Sequence, residues 1–167
     1  PVGTKMKPGC GGGDIYELTP GNVIVTNGTD ISFVNSTFQH LGAYASAAAG
    51  GSQRVTWQGC TFRDVSAGAV MLGSLDTCAE TNVSRWDANF SVADCTVINM
   101  PVEFTGASAV MLTYVDSSVV EHNLLANLSY SAISLGWGWG RTGCRRGRNQ
   151  ITANRVENPL RTLCCDG

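Results

Sequence analysis

Apolar residues in this chain recur in short runs of strict alternation, not at the 3.6-residue spacing of a helix. One motif repeats: an apolar residue, any residue, a turn residue, a small or polar residue, any residue, then two more apolar positions. It reads FVNSTFQHL from Phe33 to Leu41, WQGCTFRDV from Trp57 to Val65, VADCTVINM from Val92 to Met100, and VEHNLLANL from Val120 to Leu128; ITANRV, from Ile151 to Val156, opens a fifth copy. The starts at 33, 57, 92, 120 and 151 set a period of 24 to 35 residues. A shorter apolar run follows the middle copies, at 69–72, 109–112 and 132–135. Such a unit cannot bury its apolar face alone, but coiling the chain stacks each strand on its own copy at about 4.8 Å. The pattern predicts an all-β fold, a right-handed parallel β-helix of about five coils. Phe33, Trp57, Val92, Val120 and Ile151 should form one interior column, and Phe38, Phe62, Val97, Leu125 and Val156 another. An antiparallel sandwich would explain the short strands but not the repeated unit.

Residues 1–29 read as an N-terminal lead-in segment and residues 30–167 as the β-helix, part of a longer solenoid. Residues 1–13 have no apolar signal-peptide core. Two insertions break the period. Residues 74–88 carry Asp76, Cys78, Glu80, Trp86 and Asp87; residues 136–148 carry Trp137, Trp139 and the cluster Arg141, Arg145, Arg146 and Arg148. Insertions in solenoids collect on one face and often build the functional surface.

Composition narrows the function. Charged residues are 14% of the chain and the net charge is −2, with no basic stripe for a nucleic-acid backbone. No apolar run approaches the roughly 20 residues of a membrane span. Seven cysteines occur without CxxC spacing and with only two histidines, which favours disulfides over zinc. Cys60 and Cys95 share one slot of successive repeats, and the stacking distance of about 4.8 Å suits a bridge, so a Cys60–Cys95 disulfide is expected. Pairings among Cys78, Cys144, Cys164 and Cys165 stay open, and the odd count leaves one thiol free or paired outside the chain. Five sequons, at Asn27, Asn35, Asn82, Asn89 and Asn127, point to an N-glycosylated, secreted protein. A β protein rich in Ser, Thr and Asn also makes sequons by composition alone. Asn27 and Asn82 should be the most accessible.

The stretch from Val120 to Gly140, VEHNLLANLSYSAISLGWGWG, resembles the β-helix proteins related to glycoside hydrolase family 141 and its pectate-lyase-like neighbours. His122-Asn123, Tyr130-Ser131, Ile133-Ser134 and the GWGWG run from Gly136 to Gly140 carry the resemblance, with Ala132 in place of the usual Gly. The CTF turn at Cys60 to Phe62 and the closing Asp166-Gly167 fit it as well. The resemblance covers roughly residues 30–167. It implies a right-handed coil, action on polysaccharides, and further coils on both sides.

Trp137 and Trp139 are the candidate carbohydrate-binding residues, because aromatic faces stack on sugars and the flanking glycines allow close approach. They could equally lid the solenoid as packing. Hydrolysis needs two carboxylates about 5–9.5 Å apart. Asp76, Asp116 and Asp166, each after a strand or ladder element on neighbouring coils, are the candidate catalytic acids; a strand-end Asp also commonly caps a turn. His122 reads as a stacked turn residue between Asp94 and Ala153. Clustered Asp for a calcium-dependent lyase is missing, since only Asp94 lies on the core turn ladder. No metal and no cofactor is expected. Two functions remain: an extracellular glycoprotein that binds or hydrolyses a glycan, glycoside hydrolase-like if catalytic, or a structural subunit that self-associates into fibres or a coat by stacking solenoid ends.

Overall fold

Alternating side chains of an extended strand face opposite sides, and Asn, Asp or Gly at the end of most runs lets the chain turn. The computed structural model describes residues 20–74, 80–136 and 147–161. The first coil holds β1 (Gly21–Thr26), β2 (Thr29–Val34) and β3 (Thr37–Leu41). The second holds β4 (Tyr44–Ala49), β5 (Gln53–Gln58) and β6 (Thr61–Val65). The third holds β7 (Val70–Leu72), β8 (Ser91–Ala93) and β9 (Thr96–Ile98). The fourth holds β10 (Val110–Leu112), β11 (Val119–Glu121) and β12 (Leu124–Ala126). The fifth holds β13 (Ile133–Leu135), β14 (Gln150–Thr152) and β15 (Arg155–Glu157). Each strand pairs in parallel with its counterpart one coil away. The result is three five-stranded sheets: A (β1, β4, β7, β10, β13), B (β2, β5, β8, β11, β14) and C (β3, β6, β9, β12, β15). This is a parallel β-helix of five coils. It begins earlier than residue 30: β1 lies in the expected lead-in and pairs with β4, so both join the sheet of short apolar strands.

The register matches the expected columns residue for residue. Phe33 lies on Trp57, Trp57 on Val92, Val92 on Val120 and Val120 on Ile151. Phe38, Phe62, Val97, Leu125 and Val156 align the same way. Aromatic rings stack along the axis, Phe33 on Trp57 at 5.5 Å and Phe38 on Phe62 at 4.8 Å. Identical slots repeated at the strand spacing bring such rings face to face, which adds to their area burial. A second apolar cluster covers the outside of sheet A: Tyr44, Ala47, Met71 and Met111 pack under Phe104 and Ala107 of the connection at 99–109. There the Tyr44 hydroxyl donates to the Ser108 carbonyl at 3.0 Å. Gly68 permits this approach, since a Cβ on it would lie 2.2 Å from that same carbonyl oxygen.

Three ladders of left-handed corner residues run along the coils. The ladders are Asp30, Arg54, Asn89, Ser117 and Arg148 at the start of sheet B; Asn35, Gly59, Asp94, His122 and Ala153 between sheets B and C; and His40, Asp64, Asn99, Asn127 and Asn158 after sheet C. Left-handed backbone costs an L-residue about 1–2 kcal/mol, least for Asn and Asp. Where the residue type is less suited, neighbouring coils hold the backbone: the amides of Arg54 and Ser117 donate to the carbonyls of Ala88 and Gly147 at 3.1 and 2.9 Å.

Just after the B-to-C corner residue, each coil points a polar side chain at the coil before it. The Cys60 thiol donates to the Phe33 carbonyl at 3.3 Å and the Cys95 thiol to that of Trp57 at 3.5 Å. The Asn123 and Asn154 amides do the same to Val92 and Val120 at 2.9 and 2.8 Å. The two cysteines share a slot as expected, but the expected Cys60–Cys95 disulfide is absent; both are buried free thiols. Each sulfur is turned to a carbonyl in the role the asparagines play further along. Burial, the largest influence, pushes the Cys95 thiol up to about 12, so it remains a protonated donor at neutral pH.

Candidate functional site

Both insertions leave the solenoid at one corner. The first connects β7 to β8 and the second β13 to β14, each running from sheet A to sheet B. The described part of the first insertion is a knot of local bonds. A 3-10 turn at Val83–Arg85 is capped by Asn82. The Glu80 carboxylate accepts from the Asn82 backbone at 2.8 Å, and the Trp86 indole donates to the Glu80 carbonyl at 2.9 Å. The Gln53 amide reaches from the second coil to the carbonyls of Ser84 and Trp86 at 3.1 and 3.3 Å, anchoring the knot.

Two buried acids brace this corner. Asp87 accepts from the backbone of Gly51 and Ser52 at 2.8 and 3.0 Å, tying the insertion to the coil before. Asp116, 5% exposed, ties the fourth coil to the fifth. It accepts from the Gly147 backbone at 3.1 Å, from the Ser117 hydroxyl at 2.7 Å and from the Arg148 guanidinium. Burial alone would raise the Asp116 carboxyl, but the bonds from Arg148, Ser117 and Gly147 outweigh it and hold it below its ordinary value. An acid held ionised with both oxygens engaged is suited to bracing a corner and poorly suited to donating a proton. Asp76 and Asp166, and the rings of Trp137 and Trp139, lie outside the described residues, as do Cys78, Cys144, Cys164 and Cys165. Asp94 accepts from the Gln58 amide at 2.5 Å, and His122 stands 3.9 Å from it on the turn ladder, its place as read from the sequence.

The five sequon asparagines fall into two kinds. Asn27, Asn35, Asn89 and Asn127 are left-handed corner residues. Of these, Asn27, Asn35 and Asn89 are exposed and Asn127 is half-buried. Asn82 is exposed, in extended backbone off the solenoid. Beside Asn127 opens a cleft of about 320 Å³ lined by Asn99, Pro101, Val102, Asn127, Ser129 and Arg161. Among the described residues no group of acids, histidines and cysteines could hold a metal ion, and no helix is long and apolar enough to cross a membrane.

Comparison with protein-family models, with curated proteins and with solved structures finds no match to this chain.

The sequence reading missed the Asp116–Arg148 brace and the 99–109 connection. The recurrence of Asn in equal slots, at 123 and 154 and at 99, 127 and 158, was a visible signal for the two asparagine ladders. The brace left none, because its partners are 32 positions apart and meet only through the coil.

Proposed function

We propose that this protein is an extracellular β-helix glycoprotein that binds a polysaccharide along the corner between sheets A and B. The observation that carries the reading is that both insertions emerge at that one corner, on the third and fifth coils. The second insertion contains Trp137 and Trp139 between glycines, the composition of a sugar-stacking loop. The glycoside hydrolase-like motif from Gly136 to Gly140 supports the same class of ligand. Binding is favoured over hydrolysis by the use of Asp87 and Asp116 as braces. The surface carries little net charge, so ring stacking and hydrogen bonds to hydroxyls would provide the affinity.

The test is a glycan array and a reducing-sugar assay on the wild type and on the Trp137→Ala/Trp139→Ala double variant. Wild-type binding to a subset of glycans, lost in the double variant by about 1–3 kcal/mol per stacked ring on the scale of base stacking, is the expected result. A wild type that binds no glycan overturns the reading, and reducing-sugar release would replace binding by hydrolysis. A second reading, a structural subunit stacked end to end, draws on the interior columns: Ile151 and Val156 on the fifth coil are 44% and 45% exposed, whereas their counterparts Val120 and Leu125 are fully buried. Concentration-dependent growth in sedimentation without glycan binding would favour it.

A further inference from the structure

We infer that Asn82 is the sequon that accepts an N-linked glycan on the folded chain, and that Asn127 is withheld from modification by its place in the asparagine ladder. The inference rests on the secretory reading proposed above and goes beyond it, because it ties the fate of each sequon to the backbone and side-chain bonds its asparagine makes.

Transfer to asparagine makes a bond between Nδ2 and the anomeric carbon of a saccharide carried as a diphosphate ester. The carbon–oxygen bond to the phosphate breaks, the diphosphate leaves with the electron pair, and one Nδ2 proton passes to a base of the transferase. The acceptor therefore has to offer an uncommitted Nδ2 on a strand of backbone that a second protein can surround.

Asn82 meets both conditions. Its backbone is extended, with φ −80° and ψ 109°. Its own amide is held by the side chain of Glu80 and by no neighbouring strand. Its Oδ1 accepts from the backbone and the hydroxyl of Ser84 at 3.1 and 2.8 Å, Ser84 being the hydroxyl residue of the same sequon. Both bonds fall on Oδ1 and leave Nδ2 without a partner among the described residues.

Asn127 meets neither. Its φ is 55°, and its backbone amide donates to the Glu157 carbonyl at 3.0 Å. Its Nδ2 donates to Asn99 Oδ1 at 3.2 Å while its Oδ1 accepts from Asn158 at 3.1 Å. A sugar on that nitrogen would stand between stacked amides about 4.8 Å apart. Asn27, Asn35 and Asn89 are intermediate: exposed, but locked at coil corners with φ of 51°, 48° and 57°, and with backbone amides bonded to the next coil.

The experiment is expression of the chain through a eukaryotic secretory pathway, followed by enzymatic deglycosylation in heavy-oxygen water and peptide mass spectrometry. The expected pattern is high occupancy at Asn82 and none at Asn127. Occupancy at Asn127, or an empty Asn82 beside occupied corner sequons, overturns the inference while leaving the secretory reading intact. A chain with no sugar at any sequon overturns both. A second measurement on unglycosylated bacterial protein tests the ladder directly. Asn127→Ala should lower Tm by about 2–4 °C, the shift that loss of about 1 kcal/mol produces in a chain of this size, and by more than Asn82→Ala does. Equal Tm values for the two variants would remove the ladder as the reason for the selectivity.

Discussion

At the scale of single residues, this molecule commits polar groups to bonds between coils. The Cys60 and Cys95 thiols occupy the slot that asparagine fills in the fourth and fifth coils, and both are about 1% exposed. A buried thiol is closed to reagents and does not react. Native protein should therefore resist alkylation at both positions, and denaturant without reductant should make both reactive; peptide mapping that recovers a linked Cys60–Cys95 pair would contradict the free thiols. Asp116 has a depressed folded pKa, so its contribution is fully present above the unfolded value of about 3.9 and is lost as pH falls through the folded value. Stability should drop below about pH 4. Asp116→Asn should cost about 1–3 kcal/mol at neutral pH and flatten the acid limb, as read by urea melts between pH 2 and 7. An acid limb identical to wild type would mean that Asp116 does not carry this linkage.

At the scale of elements, strands of three to six residues hold because each is one rung of a ladder five deep. Short strands have little stability of their own, and their side chains find partners only across coils. The turn after sheet B shows how corner and core depend on each other. Asn123, 1% exposed, accepts from the Cys95 backbone at 2.8 Å, donates to the Val92 carbonyl and donates to Asn154 at 2.9 Å. Asn123→Ala would leave the Cys95 amide buried without its partner and take one donor from the Val92 carbonyl. The expected loss is about 2–3 kcal/mol in chemical denaturation, with the largest increase in amide exchange at Cys95. A loss below about 0.5 kcal/mol would mean that water replaces the side chain. The repeat made this corner legible as a turn. Its hydrogen bonding was not legible, because a polar residue after a turn residue reads equally as solvated or as buried and paired.

At the scale of the molecule, stability is a sum over stacked coils, and each coil depends on its neighbours. The second, third and fourth coils contain nearly all the fully buried side chains, from Trp57 and Phe62 to Leu125 and Leu128, whereas the strands of the fifth coil are exposed along β14 and much of β15. Amide exchange should be slowest in β5, β6, β8 and β9 and fastest in β14 and β15, with protection falling coil by coil. Uniform protection along the axis would show that the solenoid opens as a single unit.

The sequence by itself determined the solenoid, its five coils and the residues of both interior columns. It could do so because alternation and a repeated unit fix which side chain faces inward, and a register shift by one residue would turn every column out to solvent. It also located the two insertions as breaks in the period. Only the tertiary structure decided what the shared slots contain. Cys60 and Cys95 sit at stacking distance in either case, and the orientation of each thiol toward the carbonyl of the coil before it leaves them unbridged. The same holds for the acids and the sequons. Asp116 reads as a free carboxylate until the fifth coil brings Arg148 and Gly147 to it. Asn82 reads from the sequence as the more accessible of the two sequons, but only the coil shows that Asn127 shares its side-chain amide with Asn99 and Asn158. Partners tens of residues apart meet only when the chain has wound a full turn, and no local pattern records which atoms they then share.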